Sequence, residues 1–151
     1  MQTLNLPAYP FKISQKEGKT FIFDTFRHSW VFLTPEEWVR QHFLKWLVTD
    51  HAYPAGLIAV ETSLKYNNLK MRADAVIYNK NTKPLVLVEC KAPHVTINQQ
   101  TFEQAARYNF SFKTRYLLLT NGLLHYCCEI NTETGNIHFL ENIPAFKDIA
   151  P

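Results

Sequence analysis

The chain has 151 residues, of which 46% are hydrophobic, 14% aromatic and 19% charged, enough to close one ordinary core and too few for a multidomain machine. Sixteen Lys and Arg against 13 Asp and Glu leave a net charge of +3, compatible with a polyanionic partner but well below the basic excess of a dedicated nucleic-acid coat. No run approaches the roughly 20 apolar residues of a bilayer span, and the opening MQTLNLPAYPF lacks the basic-then-apolar order of a secretory signal, so a cytoplasmic chain with no membrane partner is expected.

Residues 4–32 are aromatic and punctuated by Pro7, Pro10 and Gly18, with short β candidates at 20–23 and 29–33. They read as an N-terminal arm or hairpin laid on the core. Thr34 as N-cap, Pro35 at the first helical position and Glu37 three residues after the cap predict a helix to about residue 49, with Glu37 as its capping-box residue. Trp38, Val39, Phe43, Trp46 and Leu47 make its core face, leaving Glu36, Arg40 and Lys45 outside.

Strands are expected at 57–64 and 72–78, separated by a polar connection at 66–70. A turn follows at 79–84. The continuous apolar run at 85–89 (LVLVE) has the pattern of a central strand covered on both faces. A second helix at 98–112, a buried strand at 116–120 stopped by Asn121 and Gly122, and β segments at 123–130 and 137–140 complete the order. The pattern predicts an α/β fold with a mixed sheet flanked by helices. A single domain over 1–151 is expected, divided into an arm (1–33), a core (34–122) and a strand extension (123–151). The odd, partly adjacent cysteines Cys90, Cys127 and Cys128 are a poor disulfide framework and read as reduced thiols.

Asp74, Glu89 and Lys91 stand out because they place charge in otherwise apolar strands, where a carboxylate needs a partner. Alternation puts Glu89 and Lys91 on one face, and a neighbouring strand can bring Asp74 to them. Two carboxylates with the backbone carbonyl of Cys90 form a hard oxygen set suited to magnesium. Such an ion lowers the pKa of bound water and neutralises an attacked phosphate. Lys91 can orient that water and stabilise developing charge.

These residues resemble the PD-(D/E)XK nuclease superfamily and, within it, the N-terminal nuclease domain of type I restriction enzyme R subunits. The resemblance rests on Arg72-Ala73-Asp74, on Glu89-Cys90-Lys91-Ala92-Pro93 and on Gln104-Ala105-Ala106-Arg107-Tyr108, the last similar to the Q-x-x-x-Y motif of the R-subunit and RecB-like branches. It implies a restriction-endonuclease-like α-β-β-β-α-β core, magnesium (with manganese as a substitute) on Asp74 and Glu89, Lys91 as catalytic lysine, and DNA as substrate. On a helix the four-residue offset puts Gln104 and Tyr108 on one face, from which they can support the site. Ala73 stands where the superfamily name has proline. No G-x-x-x-x-G-K-[ST] phosphate loop is present, so the expected protein is an endonuclease domain without its translocase, served by specificity, modification or motor subunits, or working as a homodimer, since one such site cuts one strand.

Glu61 and Glu37 are the candidates for a further acidic position, Glu61 in the metal shell and Glu37 favoured instead as the capping-box residue. Arg72 reads as a salt-bridge residue facing away from Asp74. His125 and Cys127 share a strand face but have no second ligand pair at zinc spacing, so they read as core residues. Trp30, Trp38 and Trp46 read as packing residues. The competing expectations are a non-catalytic DNA-binding or scaffolding module with the same fold, and a repair or junction nuclease of the same superfamily.

Overall fold

The computed structural model describes residues 1–66 and 69–150, without the side chains of residues 62–71, 108 and 111. Two sheets organise the chain. The smaller is built from β1 (Ile13–Lys16), β2 (Lys19–Asp24) and β3 (Ser29–Phe32), antiparallel in that order. The arm is thus a three-stranded sheet and not a hairpin. β1 (ISQK) is polar and exposed along its whole length, so no hydrophobic alternation announced it. Trp30 packs edge-on against Phe23 yet stays 48% exposed.

Helix α1 (Pro35–Asp50) starts at Thr34, whose hydroxyl accepts the Glu37 N–H at 3.0 Å. The larger sheet follows: β4 (Ile58–Tyr66), β5 (Leu69–Tyr78), β6 (Pro84–Cys90), helix α2 (Gln99–Phe112), β7 (Tyr116–Thr120), β8 (His125–Ile130) and β9 (Ile137–Leu140), with a final turn α3 (Phe146–Ile149). The six strands stand side by side in sequence order. Among the described residues only β6 and β7 pair in parallel, because α2 carries the chain back across the sheet between them. The polar connection expected at 66–70 shrinks, since β4 runs to Tyr66 and β5 begins at Leu69; its middle, residues 67 and 68, lies outside the described residues.

Helix α1 buries Val39, Phe43, Leu44 and Leu47 against Ala75, Ile77, Val86, Val88 and Leu118 on one face of this sheet. Helix α2 buries Ala105 and Phe112 against Val76, Leu87 and Leu117 on the other. Both central strands are therefore covered on both sides, which explains their unbroken apolar runs. The result is the α/β fold with helices on a mixed sheet that the element order predicts. Residues 4 and 5 are strapped to the turn after β7: the Asn5 N–H donates to the Gly122 carbonyl at 2.8 Å, and Leu4 packs where a Cβ on Gly122 would lie. Gly122 has φ +86, a conformation that disfavours any side chain there. Among the described residues no helix is long and apolar enough to cross a membrane.

Candidate active site

The first turn of α1 points its charges inward. Arg40 is 5% exposed, not on the outer face expected from helical spacing. Its Nη1 donates to Glu37 Oε1 (2.8 Å) and Glu61 Oε1 (3.3 Å), and its Nη2 to Asp74 Oδ1 (3.1 Å), with Glu36 at 3.6 Å. Glu37 caps the helix only through its backbone N–H. Its carboxylate is buried and accepts from Arg40, from Arg27 Nη2 (2.7 Å) and from Gln41 Nε2 (2.8 Å), which corrects its expected role as a capping-box side chain. The reason is energetic: a buried carboxylate takes charged donors over a solvent-edge amide.

Arg27 comes from the turn between β2 and β3. It also pairs with Asp24, which is fully buried, and with Glu61 Oε2 at 3.0 Å. Arg72 donates to the same Glu61 oxygen. Arg72 and Asp74 therefore serve one cluster on one face, and the expectation that they face apart is corrected: residues two apart in a strand point the same way. In the β4–β5 register Glu61 lies opposite Asp74, between the pairs Val60↔Ala75 and Thr62↔Ala73, and it has φ +53 in mid-strand. A non-glycine residue there carries local backbone strain, held by the three arginines around it.

Asp74 Oδ2 accepts the Cys90 N–H at 2.7 Å, so the end of β6 is locked to the middle of β5 at the candidate site. Glu89 is 7% exposed and its Oε1 is buried with no hydrogen-bond partner. Burial first, then the Asp74 carboxylate, push the Glu89 carboxyl up to about 8, while Lys91 pulls the other way. Burial works against the charge on Glu61 as well, but Arg40, Arg72 and Arg27 hold its carboxyl below the ordinary range. A cavity of about 530 Å3 opens beside the cluster, lined by Arg27, Val31, Phe32, Glu36, Arg40, Glu61, Ala92 and His94 among others.

The sequence matches the family described as the type I restriction enzyme R protein N terminus over residues 35–144. The chain belongs to that family. A search of solved structures finds a similar fold in a fragment of a putative HsdR subunit of a type I restriction enzyme from Vibrio vulnificus YJ016, at TM-score 0.54 and 17% identity over 78% of this chain. This chain spans 24% of that fragment. The type IIG restriction endonuclease BpuSI also aligns, at TM-score 0.47 and 20% identity over 70% of this chain and 13% of its own. No curated protein matches.

In this R-protein N-terminal domain, Asp74, Glu89 and the backbone of Cys90 come together at adjoining strands, and Lys91 follows directly, its N–H bonded to the Thr120 carbonyl at 2.8 Å. Glu89 lies two residues after Leu87, which packs under α2, so alternation aims it at the α2 side. Gln104 and Tyr108 both lie on α2; Gln104 is exposed and the Tyr108 side chain lies outside the described residues. Two carboxylates, one with a buried oxygen lacking a donor, fit a hard divalent cation that completes its shell with waters. Among the described residues no three His, Cys, Asp or Glu side chains form a closed metal centre. His125 uses both ring nitrogens within the protein, toward Thr120 Oγ1 (2.7 Å) and the Asn5 carbonyl (2.9 Å), and all three cysteines are free and buried.

Sequence reasoning missed Arg27, Arg40 and Asp24. For Arg40 a signal existed in Glu36-Glu37-x-x-Arg40, which sets acid and base at i,i+4 and i,i+3. For Arg27 the only near partner is Asp24, three residues before it, while the others, Glu37 and Glu61, lie in α1 and β4.

Proposed function

We propose that this domain is a magnesium-dependent endonuclease that hydrolyses phosphodiester bonds in DNA, as the nuclease part of a type I restriction system. The observation that carries the reading is the buried Glu89 carboxyl beside Asp74, with an oxygen that no protein donor reaches. A fold without catalytic purpose gains nothing from such an atom, since an unpaired buried polar group costs about 1–3 kcal/mol. Asp74, Glu89 and the Cys90 carbonyl would hold magnesium, or manganese in its place. When bound, the ion supplies a water of lowered pKa and neutralises charge on the phosphate. Lys91 holds the attacking water in line and offsets the charge that develops on the phosphate oxygens. Arg40 fixes Asp74 through Oδ1 while the Cys90 N–H fixes Oδ2, so the carboxylate cannot rotate away. Gln104 and Tyr108 would support the substrate from α2. Specificity, modification or motor subunits would supply targeting, and two copies, as a homodimer, would be needed to cut both strands.

One observation favours the rival reading of a non-catalytic DNA-binding module: both Asp74 oxygens are already satisfied by protein donors. Cleavage of supercoiled DNA by wild type, Asp74→Ala and Lys91→Ala, in magnesium, manganese and EDTA, separates the two. The nuclease reading expects metal-dependent nicking that disappears in both variants while their circular dichroism stays native. Cleavage that survives Asp74→Ala would overturn the site. Salt-dependent DNA binding by a folded wild type that never cuts would establish the binding module.

A further inference from the structure

The register of the small sheet sorts its side chains onto two faces. Ile13, Gln15, Thr20, Ile22, Asp24 and Val31 share the inward face, where Ile22 and Asp24 are fully buried. The outward face carries Ser14 and Lys16 of β1, Lys19, Phe21 and Phe23 of β2, and Trp30 and Phe32 of β3, with Lys12 continuing β1 through its carbonyl bond to the Phe23 N–H. The aromatics form two rungs. Phe21 faces Phe32 with ring centroids 6.0 Å apart, and Phe23 faces Trp30 at 5.4 Å.

Trp30 and Phe32 remain about half exposed, and the Lys12 ammonium stands 5.9 Å over the Phe23 ring. This face holds three lysines and no carboxylate; Glu17 is in the hairpin turn, at φ +54. A folded chain of this size gains nothing by leaving two such rings in water on a polar, solvent-facing sheet. Aromatic rings with exposed faces, spaced along a strand and flanked by lysines, match the repeating chemistry of an unpaired nucleic-acid strand: bases that stack and phosphates that need cations. A paired duplex would present only phosphates here, because its base faces are stacked away.

We propose that the outward face of the β1–β2–β3 sheet binds a single-stranded segment of DNA, its bases stacking on Trp30 and Phe32 and its phosphates meeting Lys12, Lys16 and Lys19. Phe32 also lines the cavity beside Arg40 and Glu61, so a strand on this face reaches the rim of that cavity. The proposal concerns binding and stands whether or not the domain cleaves.

The test is binding of fluorescein-labelled oligodeoxythymidylate of about 16 nucleotides, and of a duplex of equal length, in EDTA so that cleavage plays no part. Wild type should prefer the strand. Trp30→Ala with Phe32→Ala should weaken strand binding about tenfold or more, with little effect on the duplex and an unchanged melting temperature. Replacing the three lysines with Gln should lower the slope of log affinity against log salt by about 2, near 0.7 for each lost phosphate contact. Strand binding that survives the aromatic double variant would overturn the proposal, as would equal loss for strand and duplex. If the double variant instead abolishes self-association in sedimentation velocity and leaves strand binding intact, the face is a contact between copies and the proposal falls.

Discussion

Burial and the Asp74 carboxylate together hold the Glu89 carboxyl near 8, so the folded chain keeps a proton that the unfolded chain, with an ordinary Glu near 4.5, releases. Between those values the folded state binds more protons, and stability falls as pH rises. Below about 4.5 both states are protonated and the difference vanishes. Glu89→Gln keeps the shape and removes the titration, so its advantage over wild type should grow from pH 5 to pH 8 in the absence of divalent ions. The advantage should grow by a few kcal/mol across that range, since each unit by which a pKa is raised is worth about 1.4 kcal/mol, and each kcal/mol is about 2–4 °C of melting temperature for a chain of this size. Thermal melts across that pH range in EDTA check it; a gain that is flat with pH would mean that Glu89 does not titrate in the fold. At this scale the sequence was readable where charge interrupts an apolar strand, as at Asp74 and Glu89. It was silent on Arg27, and misleading on Arg40, because a helix seen alone assigns a charged residue to solvent until another element supplies carboxylates to meet it.

At the scale of elements, local signals carried the most. Thr34 and Pro35 mark the start of α1, and the run from Tyr116 to Thr120 coincides with β7. What failed was β1, whose residues show no periodicity because none of them is buried, and the final turn α3, which exists because Phe146 packs on Tyr53. The turn after β7 shows how one residue fixes the contact between elements. A Cβ on Gly122 would meet Leu4 Cδ2 at 2.8 Å and Val39 Cγ2 at 3.0 Å, and the φ of +86 is itself strained for alanine. Gly122→Ala should therefore cost about 1–3 kcal/mol, read as a lower urea midpoint. An unchanged midpoint would show that the N-terminal strap is loose in solution.

At the scale of the molecule, the candidate site is held from outside the segment that defines the family. The match begins at residue 35, yet Arg27 and Asp24 precede it and complete the ion network around Glu37 and Glu61. A chain starting at Thr34 takes Arg27 from both carboxylates, leaving Glu37 with Arg40 and Gln41 and Glu61 with Arg40 and Arg72, and stripping one partner from a buried ion pair costs about 3–5 kcal/mol. Such a fragment should melt well below the full chain or fail to fold. A cooperative melt at the full-chain temperature would show instead that the small sheet is an appendage.

The strap has a consequence for synthesis. Asn5 bonds to Gly122 and Leu123, and its carbonyl serves His125, so contacts reach across 118 and 120 positions of sequence in the last two cases. On the ribosome, chains grow at about 5–20 residues per second, so Leu4 and Asn5 wait on the order of ten seconds for their partners to emerge. The three strands of the small sheet are contiguous in sequence and need no such delay. Leu4 and Asn5, made well before their partners, are thus late to reach their place, and until then Leu4 and the α1 surface under it stay open to solvent and to other chains.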